Sequence, residues 1–406
     1  MMYTSVKLVK IESDEIQELI CRTQDLTRGG YDLYDQNYKV LVSLLKRLLR
    51  LMRQEKEWHL YFYTLYELMY LYARNNNYAE IVKYAELYYK DSALYMDREL
   101  PNYPDTNMAY INVWTYDKIF EAYYEYYQID DAKMEAFMKR YEEAALKYGK
   151  TYLYYKNEIS LSILYLDRDR MERAVRNFLF YEKEMESCYV CGHLPYLRHF
   201  LLVGQEQRAE ELMLDYIHKN IPQKHVWCYK YCQNAEPDSM YLDMIGLCVD
   251  SGNVEKFQYF YEKYWMKLPL ETRLNDEACS FQRLLAAYDG CFDKLDKGIE
   301  QAAEDIREEN DDTTVHNMNT FLEWWCYFIL LDRNGVHKVS VKFPELETDA
   351  QGQVSTLAVS DYMQAKADLH GNRFAQARAQ FDYRFAKESY RKCFLQENDG
   401  SRMKSW

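Results

Sequence analysis

Amphipathic helical stretches, interrupted every few dozen residues by a short polar or glycine-bearing break, run through almost the whole of this chain. In YDLYDQNYKVLVSLLKRLLRLM, residues 31–52, Leu41, Leu44, Leu45, Leu48, Leu49 and Met52 recur at spacings of three and four, which places them on one helical face. The next stretch, EWHLYFYTLYELMYLYARNNNYAEIVKYAELYYKDSALYM, carries two such patterns separated by Asn75, Asn76 and Asn77. It predicts two antiparallel helices joined by a short turn. The same grammar predicts pairs over 106–147 (break near Asp130), 151–187 (Asp167 to Asp169), 193–220 (Gly204), 237–268 (Gly252) and 275–309 (Gly290). A helix over VHNMNTFLEWWCYFILLDRNG and a last pair over 360–390, with Gly371 at its turn, complete the pattern. One hairpin cannot bury its apolar face alone, so stacked neighbours must share a core.

Composition agrees. Glycine (13) and proline (7), which weaken helix interiors, are scarce in 406 residues. An apolar fraction of 48% with 29% charged residues suits a folded chain rather than a disordered one. The formal net charge of -14 argues against nonspecific binding to DNA, RNA or an anionic membrane. The one basic cluster, Lys46, Arg47, Arg50 and Arg53, fits the solvated face of an amphipathic helix. No run of about 18 apolar residues predicts a membrane span. The amino-terminal MMYTSVKLVKIESDE lacks the apolar core of a secretory signal, so a cytoplasmic location is expected.

The array resembles the tetratricopeptide-repeat superfamily, in which a small residue at the helix turn is followed five positions later by another, then by a large apolar one. Gly204, Ala209 and Met213 match that pattern. Asp169, Ala174 and Phe178 match it without the glycine, and Gly252 with Tyr261 match its ends, Phe257 standing where the small residue belongs. The whole chain is also similar to a little-characterised bacterial group, through CYVC at 188–191, CQNAEP at 232–237 and AQFDYRFA at 379–386. The resemblance implies an all-α, right-handed α-α superhelix of about seven to eight helical pairs, and no particular activity. The expected organisation is an amino-terminal extension or cap (1–32), tyrosine-rich repeats (33–187), repeats carrying a cysteine cluster (188–309), and a carboxy-terminal repeat and cap (310–406). Within the last, 337–355 alternates in polarity and then fills with turn residues, which predicts an extended connection.

Ten cysteines spread through a long chain do not form the dense framework of a small secreted domain. Four of them flank one helical pair. Cys188 and Cys191 precede it and Cys228 and Cys232 follow it, so a hairpin that folds back at Gly204 brings them to one end. Four thiolates would make a closed, structural zinc site, with His193 and His225 as substitutes for one sulfur and His199 further off. Ordinary buried cysteines and a redox pair remain open as alternatives.

Tyrosine is the compositional outlier, with 42 residues concentrated in the first half. Most should fill helix interfaces. Tyrosine also supplies rigid contact area with a hydrogen-bonding tip, so Tyr66, Tyr70, Tyr84, Tyr88, Tyr123 and Tyr127 are the expected lining of a concave surface that binds an unknown protein or peptide. Such a scaffold would have no catalytic residues. One alternative is an enzyme with a polar pocket in the helical array; no phosphate loop or metalloprotease motif marks one. Glu323 beside Trp324 and Trp325 is read as the edge of a core helix rather than a carbohydrate site. A second alternative is a peptide-responsive regulator without its own DNA-binding module.

Overall fold

The computed structural model describes residues 13–28, 32–99, 108–185, 187–230, 232–275, 278–309, 315–340, 343 and 345–396. Most of MMYTSVKLVKIESDE lies outside them. The described residues are all-α apart from one two-residue antiparallel ladder, β1 (Lys338–Val339) against β2 (Val354–Ser355). They divide into two compact units, Met1–Asn157 and Glu158–Trp406.

The first unit runs α1 (Asp14–Thr27), α2 (Asp32–Gln36), α3 (Tyr38–Glu55), α4 (Trp58–Arg74), α5 (Tyr78–Glu99), α6 (Met108–Glu125) and α7 (Asp131–Tyr148), and ends within α8 (Thr151–Leu164). The helix expected over 31–52 is therefore two, parted at Asn37. Consecutive helices pack on each other, and α4 also packs on α6, the stacking expected when helix pairs repeat. The tyrosines have a packing role here. Tyr88, Tyr116, Tyr141 and Tyr154 form a relay across α5 to α8, with successive ring centroids 5.6, 5.5 and 5.5 Å apart in edge-on and stacked geometries.

The second unit continues with α9 (Arg168–Tyr181), α10 (Tyr189–Leu202), α11 (Glu206–Ile217), α12 (Pro237–Asp250), α13 (Val254–Lys263), α14 (Leu270–Arg273), α15 (Ser280–Tyr288), α16 (Leu295–Arg307), α17 (Val315–Arg333), α18 (Thr356–Ala377) and α19 (Tyr383–Tyr390). Here α15 stacks on α17, and α19 packs against α12, α17 and α18. No helix among the described residues is long and apolar enough to cross a membrane.

The turns carry the repeat. Asn77 N–H donates to Tyr72 O, Asp167 to Ser162, Gln205 to Phe200 and Asn253 to Cys248, each at 2.9 Å, closing the preceding helix in the same way. The residue just before each donor is left-handed: Asn76, Leu166, Gly204 and Gly252. Five and nine positions after it lie two buried side chains: Ile81 and Ala85, Met171 and Val175, Ala209 and Met213, Phe257 and Tyr261. This corrects the register of one repeat. Its turn is at Leu166, not Asp169, so Met171 rather than Ala174 corresponds to Ala209. Several second helices also begin with a side-chain cap: Asp130, Asp167 and Asn253 accept from the N–H three residues on, at 2.7, 3.0 and 3.0 Å.

Gly371 is a second correction. It lies inside the 22-residue α18, not at a turn. A Cβ there would come 2.1 Å from the Tyr383 ring, so the glycine lets α19 approach α18. The segment 337–355 was expected to be an extended connection; its described residues include β1 and β2, paired antiparallel. It joins α17 to α18, and Asp349 holds its turn by accepting from Gln351 and Gln353 N–H at 3.0 and 2.9 Å.

Candidate metal centre and polar crevice

The hairpin of α10 and α11 returns the chain as its length requires. Cys188 stands immediately before α10 and Cys191 lies in its first turn. After α11, a 3₁₀ helix over Gln223–Lys230 leads to Cys232 in extended backbone. Sulfurs of Cys188, Cys191 and Cys232 all lie within 4.8 Å of one another, and Cys191 and Cys232 are 3.4 Å apart. Two sulfurs on a tetrahedral zinc, each about 2.3 Å from the metal, sit at about 3.8 Å, so the spacing suits such an ion. The three cysteines thus form a plausible site for a structural metal. Their electrostatics agree. Hydrogen bonds that the Cys188 thiol donates to Cys191 and Cys232 hold its pKa far above the usual range. At Cys232 a bond with Cys188 pulls the other way, and Cys191 together with burial pushes it up to about 11. Each thiolate penalises the next until a cation neutralises them. The Asn234 amide donates to Cys191 Sγ at 3.4 Å.

The fourth expected ligand is elsewhere. Cys228 is buried and does not belong to the cluster. Residues 228 and 232 would share a face in an α-helix, but the 3₁₀ helix ends at Lys230 and the chain then extends. His193 is committed too, with Nδ1 2.8 Å from Tyr189 O and Nε2 3.0 Å from Glu182 Oε1. His225 is buried against the Tyr189 ring, and desolvation lowers its pKa. His199, also buried, packs on Tyr196 and Phe200.

The second site of the carboxy-terminal unit was not visible in any motif. Asp250 ends α12, Ser280 opens α15, Glu323 lies in α17 and Tyr390 ends α19. Ser280 donates to Glu323 Oε2, and Tyr390 donates to Oε1 at 3.3 Å. Asp250 is exposed and Glu323 half-buried, yet both are crowded by protein, and Glu323 faces no close cation among the described residues. Desolvation, with repulsion from Asp250 and Asp305, pushes Glu323 up to about 8. Desolvation also lifts Asp250 to about 6, Arg198 offsetting it only in part because Asp243 holds that guanidinium. Glu323, Asp250, Ser280 and Tyr390 thus gather as a polar cluster in the carboxy-terminal unit. The exposed thiol of Cys279 shares it: burial first and then Glu323 raise its pKa. Trp324 and Trp325 are buried, with Trp324 Nε1 donating to Asp305 at 2.7 Å, so neither offers a sugar-stacking face. Carboxylates are too common in this sequence for Asp250 and Glu323 to have been paired without the fold.

Of the six tyrosines expected on a binding surface, Tyr88 and Tyr123 are core residues. Tyr66, Tyr70, Tyr84 and Tyr127 are half-buried. Different tyrosines, Tyr89, Tyr116 and Tyr148, line a pocket of about 330 Å³ in the first unit together with Arg140 and Asn112. No family model matches the chain, and neither a curated protein nor a solved structure matches it.

Proposed function

We propose that the chain is an enzyme that performs acid–base chemistry on a small polar substrate, bound in a crevice at the polar cluster of its carboxy-terminal unit. The observation that carries this reading is the pair Glu323 and Asp250, whose surroundings lift their pKa values to about 8 and about 6. Near pH 7 the first holds a proton and the second has lost its own, the division of labour that general acid–base catalysis needs. Ser280 and Tyr390 fix the Glu323 carboxyl. The reaction classes this suits are hydrolysis and proton transfer next to a carbonyl. The scaffold is read as a tetratricopeptide-like right-handed superhelix, because the repeated turn and its two buried positions recur at Asn76, Leu166, Gly204 and Gly252. Chromogenic ester, glycoside and amide substrates, assayed from pH 5 to 9, test the proposal. Turnover should be bell-shaped in pH and fall at least about a hundredfold in Glu323→Gln. Turnover that Glu323→Gln and Asp250→Asn leave intact would sink it.

The second reading is a scaffold that captures a protein or peptide, without catalysis. The tyrosine-lined pocket of the first unit supports it. Arg140 lies 4.8 Å over the Tyr89 ring, presenting a cation beside aromatic surface. Loss of a co-purifying partner in a folded Arg140→Ala variant would favour this reading; unchanged capture would count against it.

A further inference from the structure

We propose that the cysteine cluster is an open metal centre: Cys188, Cys191 and Cys232 hold one zinc-like cation, and the fourth position takes a ligand from solvent. That ligand is a water or a soft donor such as a small thiol. The inference rests on the metal-site reading of the cluster and adds its coordination number and exchangeability.

Five observations carry it. Cys228, the residue whose spacing promised closure, is 1% exposed and outside the group of mutually close sulfurs. Both ring nitrogens of His193 are engaged, by Tyr189 O and by Glu182. His225 likewise does not join the group, and no other His, Cys, Asp or Glu among the described residues does. Asn234 approaches Cys191 Sγ through its amide nitrogen at 3.4 Å, as a donor that stabilises a thiolate rather than as a ligand. Cys188 and Cys191 are only half-buried, so solvent reaches the sulfurs. Zinc with three protein ligands and an open position exchanges that position, whereas four protein ligands close it.

The charge balance allows the exchange. Three thiolates and a divalent cation carry one net negative charge. A neutral water therefore occupies the fourth position at no further charge cost; an incoming thiol displaces that water, releases its proton to solvent and binds as thiolate, adding one negative charge that the half-exposed site leaves to solvent.

The test uses the full chain, purified in a phosphine reductant without added metal. Bound metal is measured in the natural protein and in Cys228→Ala, Glu186→Gln and Cys232→Ala. Glu186 is included because it lies near Cys188 in sequence and outside the described residues. The metal is then exchanged for cobalt(II), and the visible spectrum is followed while 2-mercaptoethanol is added. Expected are one metal per chain in the natural protein, Cys228→Ala and Glu186→Gln, loss of metal in Cys232→Ala, and a saturable spectral shift with the thiol. Loss of metal in Cys228→Ala or Glu186→Gln with helicity retained would overturn the open site, as would a cobalt spectrum indifferent to thiol. The thiol titration of the natural protein decides the matter if a variant fails to fold. Absence of any bound metal would overturn the metal-site reading itself.

Discussion

Asp117 in the first unit and Glu323 in the second both sit on helices that stack against other helices of their unit, and both are crowded by protein, yet their chemistry is opposite. Burial alone would raise Asp117. Lys156 and Lys118 outweigh it, helped by Asn157, whose amide donates to Asp117 Oδ1 at 2.8 Å, so its carboxyl is held below the usual range. Glu323 is given hydroxyl donors and carboxylate neighbours but no close cation among the described residues, and rises to about 8. Glu67 in the first unit rises to about 7 by desolvation, but at 7% exposure no substrate reaches it. The neighbours' charge, together with access for solvent, separates a structural carboxylate from one poised for proton transfer.

The largest expected effect breaks the first side of this comparison. Asp117→Ala removes the anion shared by Lys118, 9% exposed, and Lys156, and leaves Lys118 its pair with Glu121. Removing one partner of a buried ion network costs about 3–5 kcal/mol, which urea unfolding would read as an earlier transition. A loss below about 1 kcal/mol would mean the network is solvent-screened, as exposed pairs are.

Next in size is a sealed contact between α18 and α19 of the second unit. Gly371→Ala pushes a Cβ into the Tyr383 ring, which Asp368 anchors through a 2.6 Å hydrogen bond. Overpacking of this kind costs roughly 3 kcal/mol, read as a drop in melting temperature. The same glycine shows where the sequence misleads. Gly204, Gly252 and Gly290 stand at turns with positive φ and were legible as breaks, because glycine tolerates that backbone. Gly371 serves close approach between helices, and a single sequence does not separate the two uses. Leu166 is the converse case: a branched residue in left-handed backbone hides a turn, which shifted the repeat's register by three. The helices themselves were readable because their apolar spacing is local. The site was half readable. Cys188, Cys191 and Cys232 met because hairpin lengths match, whereas the exclusion of Cys228 depended on a 3₁₀ helix and Glu323 on partners from α15 and the end of α19.

Glu323→Gln sharpens the second side of the comparison. Glu323 has a folded pKa near 8, above its unfolded value near 4.5, so the folded state binds the extra proton between those values. Stability therefore falls as pH rises from about 4.5 to 8 and levels off above, by roughly 2 kcal/mol once solvent screening of a half-buried group is allowed for. Glutamine mimics the protonated form and cannot ionise. The stability difference between variant and natural protein, measured by denaturation at pH 5, 6, 7 and 8.5, should grow in the variant's favour with pH. A flat difference would show that Glu323 ionises as an ordinary carboxylate. The slope left in the variant belongs in part to Glu67 and Asp250, raised to about 7 and about 6.

The smallest effect isolates one partner. Tyr390 donates to Glu323 Oε1 across 3.3 Å, a long bond that favours the ionised carboxylate and so holds the pKa below what burial alone would set. Tyr390→Phe removes that donor and keeps the ring, which packs 6.1 Å from Phe394. A weak hydrogen bond of about 0.5 kcal/mol corresponds to an upward move of roughly a third of a pH unit in the Glu323 transition. The direction is the informative part. Ser280→Ala removes the other hydroxyl, which also favours the ionised form, and should move the transition the same way. A downward move in either variant would mean that the hydroxyls accept from a protonated Glu323 instead of donating to it. The crevice would then hold its proton through the hydrogen-bond network rather than through desolvation.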